Sequence, residues 1–280
     1  MDGIKLFKGE LLLYGRLSIN VIIHLASPLA LETDDDNVDI IKPAVSIVTT
    51  ALEAASRTSS VRRVILTSSC VTLIPFEWNM APESERLYNV NDVNNSVEGP
   101  FLGAMQAYWA SQAYWASKAL ARNATKAFVH DKNPQFDFVN LLPSIAFFRV
   151  PVHRCLRVPS PLNTTPHFPY VGTPVHVADV ARAHVDAIDA KRVAGNSEFI
   201  LSSDTPDGVF WNRDVRDICN KHFPGEVAHG LLPLEGSLTS VKWRLDVKET
   251  EEAFGWQFMS FEHTMRDLIS QYLWLRGKNT

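Results

Sequence analysis

The stretch Val61-Arg62-Arg63-Val64-Ile65-Leu66-Thr67-Ser68-Ser69 gives the strongest indication of fold in this 280-residue chain. Its apolar, β-branched centre is typical of a strand buried on both faces of a sheet, and it ends in three hydroxyl side chains. Before it, a segment that begins at Pro43 has the broad apolar face of a helix, with proline in the tolerated first turn. Earlier still, Ser18 to Leu25 is a second β-branched run. Strand, helix and strand in this order predict a βαβ unit, and therefore a parallel sheet of the α/β class.

The ends of these strands predict a binding site. In parallel sheets, ligands bind outside the carboxyl ends of the strands. This rule places Ala26 and Ser27, which follow the first strand, on the same edge as Ser69. A third strand is predicted from Phe136 to Leu142. Its end adds to that edge the residues Pro143, Ser144 and Ile145.

Tyr114 and Lys118 are four residues apart in a segment of good helix formers, so a helix would bring them to one face. An ammonium beside a phenol stabilises the phenolate and lowers a pKa that starts near ~10, which suits a proton donor. The pair alone is weak evidence, because two surface side chains match the spacing by chance. The segment is the second copy of a local duplication, in which residues 107–112 repeat as 113–118 with lysine only in the second copy.

Composition excludes several classes of protein. The chain is 46% hydrophobic and 21% charged with a net charge of -4, which gives no sign of binding nucleic acid or an anionic membrane. Its cysteines, Cys70, Cys155 and Cys219, form neither a metal-ligand pattern nor a disulfide framework. The sequence has no apolar run of membrane-spanning length and no signal-peptide core. We therefore expect a cytoplasmic protein with no bound metal.

The remainder of the chain is predicted to contain loop regions together with short strands and helices. Residues 75–107 are polar and irregular, and residues 149–174 are rich in proline and predict a loop region that leaves the sheet. The smaller elements expected elsewhere are a short strand at Ile4 to Phe7, a helix from an Asp179 cap to Ala190, a strand at Glu198 to Leu201, a capping box at Asp246 and Glu249, and a final helix from Ser260.

Taken together, several of these segments resemble the extended short-chain dehydrogenase/reductase superfamily (the NAD-dependent epimerase/dehydratase family). Within it, they are most similar to the dihydroflavonol reductase and methylglyoxal reductase branch of ketoreductases. The order and spacing of the matching pieces fit from about residue 5 to the C-terminus. The pieces are His24 to Pro28, Ile41 to Val45, Val61 to Ser69, Tyr114 with Lys118, Leu142-Pro143 and Val175 to Ala183.

This resemblance implies an oxidoreductase with a Ser-Tyr-Lys triad that reduces a ketone or aldehyde to an alcohol. Ser69 would hydrogen-bond the substrate carbonyl, and Tyr114 would donate the proton to its oxygen by general acid catalysis. Lys118 would lower the pKa of Tyr114 and hold the nicotinamide ribose.

The same resemblance implies a cofactor site and a division of the chain. NADP(H) is expected from the branch, with NAD(H) an open alternative. Besides Tyr114 and Lys118, the expected cofactor contacts are Ala26, Ser27, Pro143, Ser144 and Ile145. Residues 4–145 would form a Rossmann-like dinucleotide-binding domain with a doubly wound parallel sheet. Residues 146–280 would form mostly a smaller, C-terminal substrate-binding region.

One departure from the family pattern leaves two hypotheses open. The family's first strand is followed by a Gly-x-x-Gly-x-x-Gly turn that approaches the cofactor pyrophosphate. None of the 13 glycines here form that spacing, so we expect a sheet that lacks its first βαβ unit. The strand at Ser18 to Leu25 would then be a sheet edge. The chain is therefore either an NADPH-dependent reductase or a catalytically inactive, N-terminally truncated homologue.

The substrate is expected to be a small-molecule carbonyl compound of undefined identity, and the oligomeric state is open. Five aromatic side chains could line an apolar pocket, although aromatic residues more often belong to the core. They are Phe76, Trp78, Phe147, Phe148 and Phe168.

Overall fold

A computed structural model describes most of the chain. The residues that it describes are 19–28, 33–79, 86–101, 112–147, 170–232, 234, 240–241 and 243–277. Three predictions lie outside these residues: the strand at Ile4 to Phe7, the first copy of the repeat with Tyr108, and most of the proline-rich loop region. The side chains of Trp78 and Phe147, together with Phe148 and Phe168, also lie outside them.

A four-stranded parallel sheet forms the centre of the described structure, in the order β1-β2-β4-β8. The remaining strands are short and pair two by two, β3 with β10, β5 with β7 and β6 with β9. The strands are β1 (Val21–His24), β2 (Arg63–Thr67), β3 (Leu87–Tyr88), β4 (Asp137–Pro143), β5 (Ile145–Phe147), β6 (Tyr170–Val171), β7 (Pro174–His176), β8 (Ser197–Leu201), β9 (Ser240–Val241) and β10 (Arg244–Leu245).

Helices cover both faces of this sheet, as expected for a doubly wound fold. They are α1 (Lys42–Arg57), α2 (Gln112–Lys132), α3 (Val177–Asp186), α4 (Trp211–His222), α5 (Pro224–Ala228), α6 (Lys248–Phe254) and α7 (Phe261–Gly277). A π-helical turn, Asn37–Ile41, leads into α1, and Pro43 lies in the first turn of that helix as predicted. None of the helices in the described ranges is long and apolar enough to cross a bilayer.

The alternation of side chains along β2 explains how the sheet packs against a layer of helices on each face. Val64 and Leu66 pack with α1 and α2, whereas Ile65, between them, packs with α3 and α6 on the opposite face. Successive side chains of a strand point to opposite faces, so both sets must be apolar in a sheet covered on both sides. The near-continuous apolar run of this strand therefore has a direct structural cause.

The sheet has two features that bear on the predicted organisation. β1 is an edge strand among the described residues, as expected for the run at Ser18 to Leu25. β8 pairs with β4 although it lies within the range 146–280 predicted to be mostly substrate-binding region. That range therefore also supplies part of the central sheet.

Two predicted helix caps are wrong. α3 begins at Val177, and the side chain of His176 accepts the capping hydrogen bond from the backbone N–H of Ala178. Asp179 is buried instead, and its carboxylate accepts from the backbone N–H of Met259.

The predicted capping box before α6 does not form either. The N-cap position of α6 is Val247, which has no side-chain cap, and Asp246 accepts a hydrogen bond from the N–H of Lys248. The last helix agrees with prediction, since Ser260 accepts from His263 N–H and the apolar face of α7 is in the core.

Candidate active site

The carboxyl ends of β1, β2 and β4 lie on one edge of the sheet because the three strands are parallel neighbours. One apolar cluster connects the segments that leave this edge. Cys70 and Leu142 are buried in it with Trp115, and Tyr114 and Ile145 pack against it from its border. The thiol of Cys70 donates a hydrogen bond to the carbonyl oxygen of Leu142, 2.9 Å away. The segments after β2 and β4 and the start of α2 are therefore in contact, as the sequence predicts.

Lys118 joins the helix to the end of β1. Its Nζ donates a hydrogen bond to the hydroxyl of Ser27 at 2.6 Å and lies 5.5 Å from the centre of the Tyr114 ring. Among the described residues, no carboxylate forms an ion pair with this ammonium. Burial lowers the pKa of Lys118 to about 8, since a charge removed from water is disfavoured. The predicted Tyr-Lys pair thus exists on one helix face, and Ser27 joins it.

His24 is a member of this site that the sequence analysis did not single out. Burial lowers its pKa, and the charge of Lys118 lowers it further, so both effects favour the neutral imidazole. Its Nε2 atom is buried and has no hydrogen-bond partner among the described residues. In the sequence, the position of His24 at the end of β1, three residues before Ser27, indicates that it lies at this site.

Ser69 lies directly after β2, where the chain turns. It is the N-cap of the 3₁₀ turn Cys70–Thr72, with an extended backbone, and its Oγ accepts a long 3.4 Å hydrogen bond from Val71 N–H. The side chain is half-buried. This position suits a residue that ends a strand in a turn, and it also leaves the hydroxyl able to face a ligand at the edge of the sheet.

The segment after β4 is fixed by backbone bonds. Pro143 is the last residue of β4, and the N–H of Ser144 donates to Leu201 O at 2.9 Å. The hydroxyl of Ser144 is buried and has no hydrogen-bond partner in the described part of the chain, whereas Ile145 packs into the apolar cores. Ala26, after β1, is exposed. These positions border one edge, and their cofactor contacts stay predictions.

A buried histidine of α3 contacts the end of β2 on the face of the sheet opposite to α2. His184 donates from Nδ1 to Val180 O, so its Nε2 accepts from the hydroxyl of Thr67 at 2.7 Å. Burial lowers the pKa of His184, although the bond to the carbonyl opposes this. No local pattern in the sequence indicates this contact, because α3 and β2 are distant in the chain.

A cluster of buried polar side chains surrounds Arg122, one helical turn beyond Lys118. The guanidinium of Arg122 makes a bidentate ion pair with Glu198, at 2.9 and 2.6 Å, and both side chains are buried. Asn140 and Lys126 also donate to this carboxylate. Burial opposes the charge of Glu198, but the bonds and charge of Arg122 outweigh it and lower the carboxyl's pKa. In the sequence, the indication that Arg122 lies near the site is its spacing of four residues from Lys118.

Of the five aromatic residues proposed for a pocket, the structure describes the side chain of Phe76. It is buried and packs edge-on against Trp115 with ring centres 5.3 Å apart. Trp243 also packs edge-on against Trp115, with ring centres 5.4 Å apart. Phe76 therefore belongs to the core, which is the ordinary role of an aromatic side chain.

A parallel sheet covered on both faces by helices, with Tyr114 and Lys118 on one helix at the ends of its strands, defines a Rossmann-like α/β fold. Comparisons with known proteins agree. The ketoreductase CTB6 of Cercospora nicotianae is 34% identical over 273 residues, spanning 92% of this chain and 74% of that protein. The NADPH-dependent methylglyoxal reductase GRE2 of Saccharomyces cerevisiae is 27% identical over 279 residues, spanning 93% and 78%. No family model matches the chain.

Solved structures show the same fold. Yeast methylglyoxal/isovaleraldehyde reductase Gre2 complexed with NADPH has a TM-score of 0.68 at 26% identity, covering 94% of this chain and 79% of that one. Gre2 of Candida albicans in complex with NADPH has a TM-score of 0.71 at 22% identity, with the same coverage. The chain belongs to the extended short-chain dehydrogenase/reductase superfamily, beside these ketoreductases and methylglyoxal reductases.

Proposed function

We propose that this protein reduces a ketone or aldehyde to an alcohol with NADPH, using Ser69, Tyr114 and Lys118. The observation that carries the proposal is the ammonium of Lys118. It is largely withdrawn from water, lies 5.5 Å from the Tyr114 ring centre and donates to Ser27 rather than to a carboxylate of the described chain. Isolated buried charges are costly, so an ammonium kept in this position has a role that offsets the cost.

The three side chains would divide the work on the substrate. Ser69 donates a hydrogen bond to the carbonyl oxygen and fixes its orientation. Tyr114 transfers its phenolic proton to that oxygen as the carbonyl carbon is reduced. The charge of Lys118 favours the phenolate that remains, and its further N–H donors bind ribose hydroxyls. NADPH would supply the hydride.

The residues at this edge of the sheet fit the nicotinamide half of the cofactor better than the adenosine half. The buried, unpartnered hydroxyl of Ser144 beside Pro143 and the free donors of Lys118 suit an amide and a ribose. For the diphosphate, the described residues offer no glycine-rich turn, and the sequence has none of the expected spacing. Ala26 and Ser27 at the end of β1 are the remaining neighbours proposed for the phosphates and adenosine half.

The lack of a glycine-rich turn for the diphosphate supports the second candidate, a homologue of the same lineage without catalytic activity. The two candidates differ in cofactor affinity. A purified-protein titration with NADPH, followed by the fluorescence of the reduced nicotinamide, tests them directly. Saturable binding, with carbonyl-dependent loss of NADPH absorbance, is the result expected for the reductase. Absence of binding at millimolar NADPH would refute the reductase and leave the inactive homologue.

A carbonyl panel would then identify the substrate class. Methylglyoxal, an aliphatic aldehyde and a bulky aryl ketone differ in size and polarity. Oxidation of NADPH with any of them above the substrate-free rate supports the proposal. NADH in parallel decides between the two nicotinamide cofactors.

A further inference from the structure

We infer that Arg122 and Glu198 form a positioning pair that holds Ser69 in register with Tyr114 and Lys118. The inference rests on the proposed function, since it assigns the pair a part in carbonyl reduction. Arg122 does not touch the predicted site itself. Its connection runs through the turn that follows Ser69.

The path from Arg122 to Ser69 consists of two steps. Arg122 Nη1 donates to the carbonyl oxygen of Thr72 at 3.4 Å. Thr72 in turn holds Ser69 twice, because its hydroxyl donates to Ser69 O at 2.8 Å and its N–H donates to the same oxygen at 3.1 Å. The turn that carries the serine is therefore bound to α2, four residues after Lys118.

The same guanidinium also fixes a second segment at this edge. It donates to Asp92 O at 2.9 Å and to Val90 O. The fully buried Asn94 extends this contact to the serine turn, since its N–H donates to Thr72 O at 2.8 Å and its side chain donates to Val71 O at 3.2 Å. One arginine thus joins α2, the serine turn and residues 89–94.

Glu198 makes this arrangement rigid. A bidentate carboxylate fixes the plane of the guanidinium, which a single contact would not. Because Glu198 belongs to β8 and also accepts from Asn140 of β4, the reference point of the whole network is the central sheet. Through Arg122, the turn that follows Ser69 is consequently anchored to the central sheet as well as to α2.

A second buried arginine provides a control of matched chemistry. Arg63 makes a bidentate pair with Asp137, both bonds 2.8 Å, and also donates to two backbone carbonyls, Ala187 O and Val193 O. Its strand begins there, so this pair lies at the amino end of the sheet, away from Ser69. Loss of either arginine should lower stability, but only loss of Arg122 should disturb the serine turn.

Hydrogen exchange in the cofactor-free protein tests the positioning without requiring activity. Arg122→Lys and Glu198→Gln should speed amide exchange in residues 70–74 and 89–97, because a lysine cannot span the same acceptors. Arg63→Lys and Asp137→Asn should leave those segments unchanged. Equal protection in all variants, or equal loosening by the Arg63 pair, would overturn the inference. Glu198→Gln keeps the test decisive if Arg122→Lys does not fold.

Kinetics test the consequence for catalysis. Arg122→Lys should lower kcat by about 10- to 100-fold with little change in KM for the carbonyl, as misplacement of a reacting group does. In a Ser69→Ala background the same substitution should have little further effect, since it acts through Ser69. A full additional loss in that background would contradict the inference. A wild-type protein without NADPH oxidation would instead defeat the proposed function, and the exchange comparison would still decide the positioning.

Discussion

Replacing Lys118 with methionine should make the protein more stable while removing its activity. Methionine has a similar length and no charge, so Lys118→Met removes the buried ammonium and keeps most of the apolar contact. The bond to Ser27 is lost, but Ser27 is only half-buried and can bond to water. The dominant change is therefore the loss of a charge that folding takes out of water.

The size of the effect follows from the pKa of Lys118. One pKa unit corresponds to about 1.4 kcal/mol, so a fall from 10.5 to about 8 represents roughly 3 kcal/mol. Some solvent contact remains, and we expect a gain of about 2 kcal/mol near neutral pH. Between the two pKa values the unfolded chain binds more protons than the folded one. Wild-type stability from this group therefore rises as pH increases from about 8 to 10.5, and the advantage of the variant disappears.

Urea unfolding of wild type and Lys118→Met, at about pH 7 and again at about pH 10, measures both the gain and its disappearance. The exposed Lys132 near the end of the same helix provides the control, because Lys132→Met should alter stability little at either pH. A Lys118→Met protein that is less stable than wild type at pH 7, or a difference that does not change with pH, would refute the reasoning.

Three further predictions concern the site and the core. Tyr114→Phe should abolish NADPH-dependent turnover whereas Tyr108→Phe leaves it largely intact, and steady-state assays showing the reverse would assign the proton donor to the first copy of the repeat. Ser69→Ala should lower kcat by roughly 100-fold or more, measured at saturating NADPH, as loss of an oriented donor does; a wild-type rate would exclude its role. Gly195→Ala should destabilise the fold by about 2 kcal/mol in thermal unfolding, because the new Cβ would lie 2.0 Å from a carboxylate oxygen of Asp137, which pairs with the buried Arg63. Gly225→Ala, with no atom within 4 Å, is its control and should not lower the melting temperature.

The parts of the fold that the sequence predicts well are those where local pattern and burial agree. β2 and α1 were predicted because a strand buried on both faces must be continuously apolar and a surface helix must have one apolar face. The edge position of β1 required the family resemblance, since nothing in Val21–His24 alone states which neighbours it has.

The contacts that the sequence did not predict are polar and long-range. Asp179 looked like a helix cap, but tertiary packing buried it to accept from Met259 N–H, which no local rule includes. Arg122 and Glu198 are 76 residues apart, and their pairing depends on β8 returning to the sheet. At the candidate site, helical spacing predicted the proximity of Tyr114 and Lys118, while the role of Ser27 as acceptor emerged only from the fold.

The return of β8 also affects how the polypeptide folds during synthesis. Arg63 and Glu198 belong to two different ion pairs of one sheet, and the second pair cannot form until β8 has left the ribosome. Until then, Arg122 is a cation without its carboxylate on a helix that is already complete. A nascent chain stalled before residue 197 should therefore bind chaperones and be sensitive to protease around α2, and release of the next segment should end both.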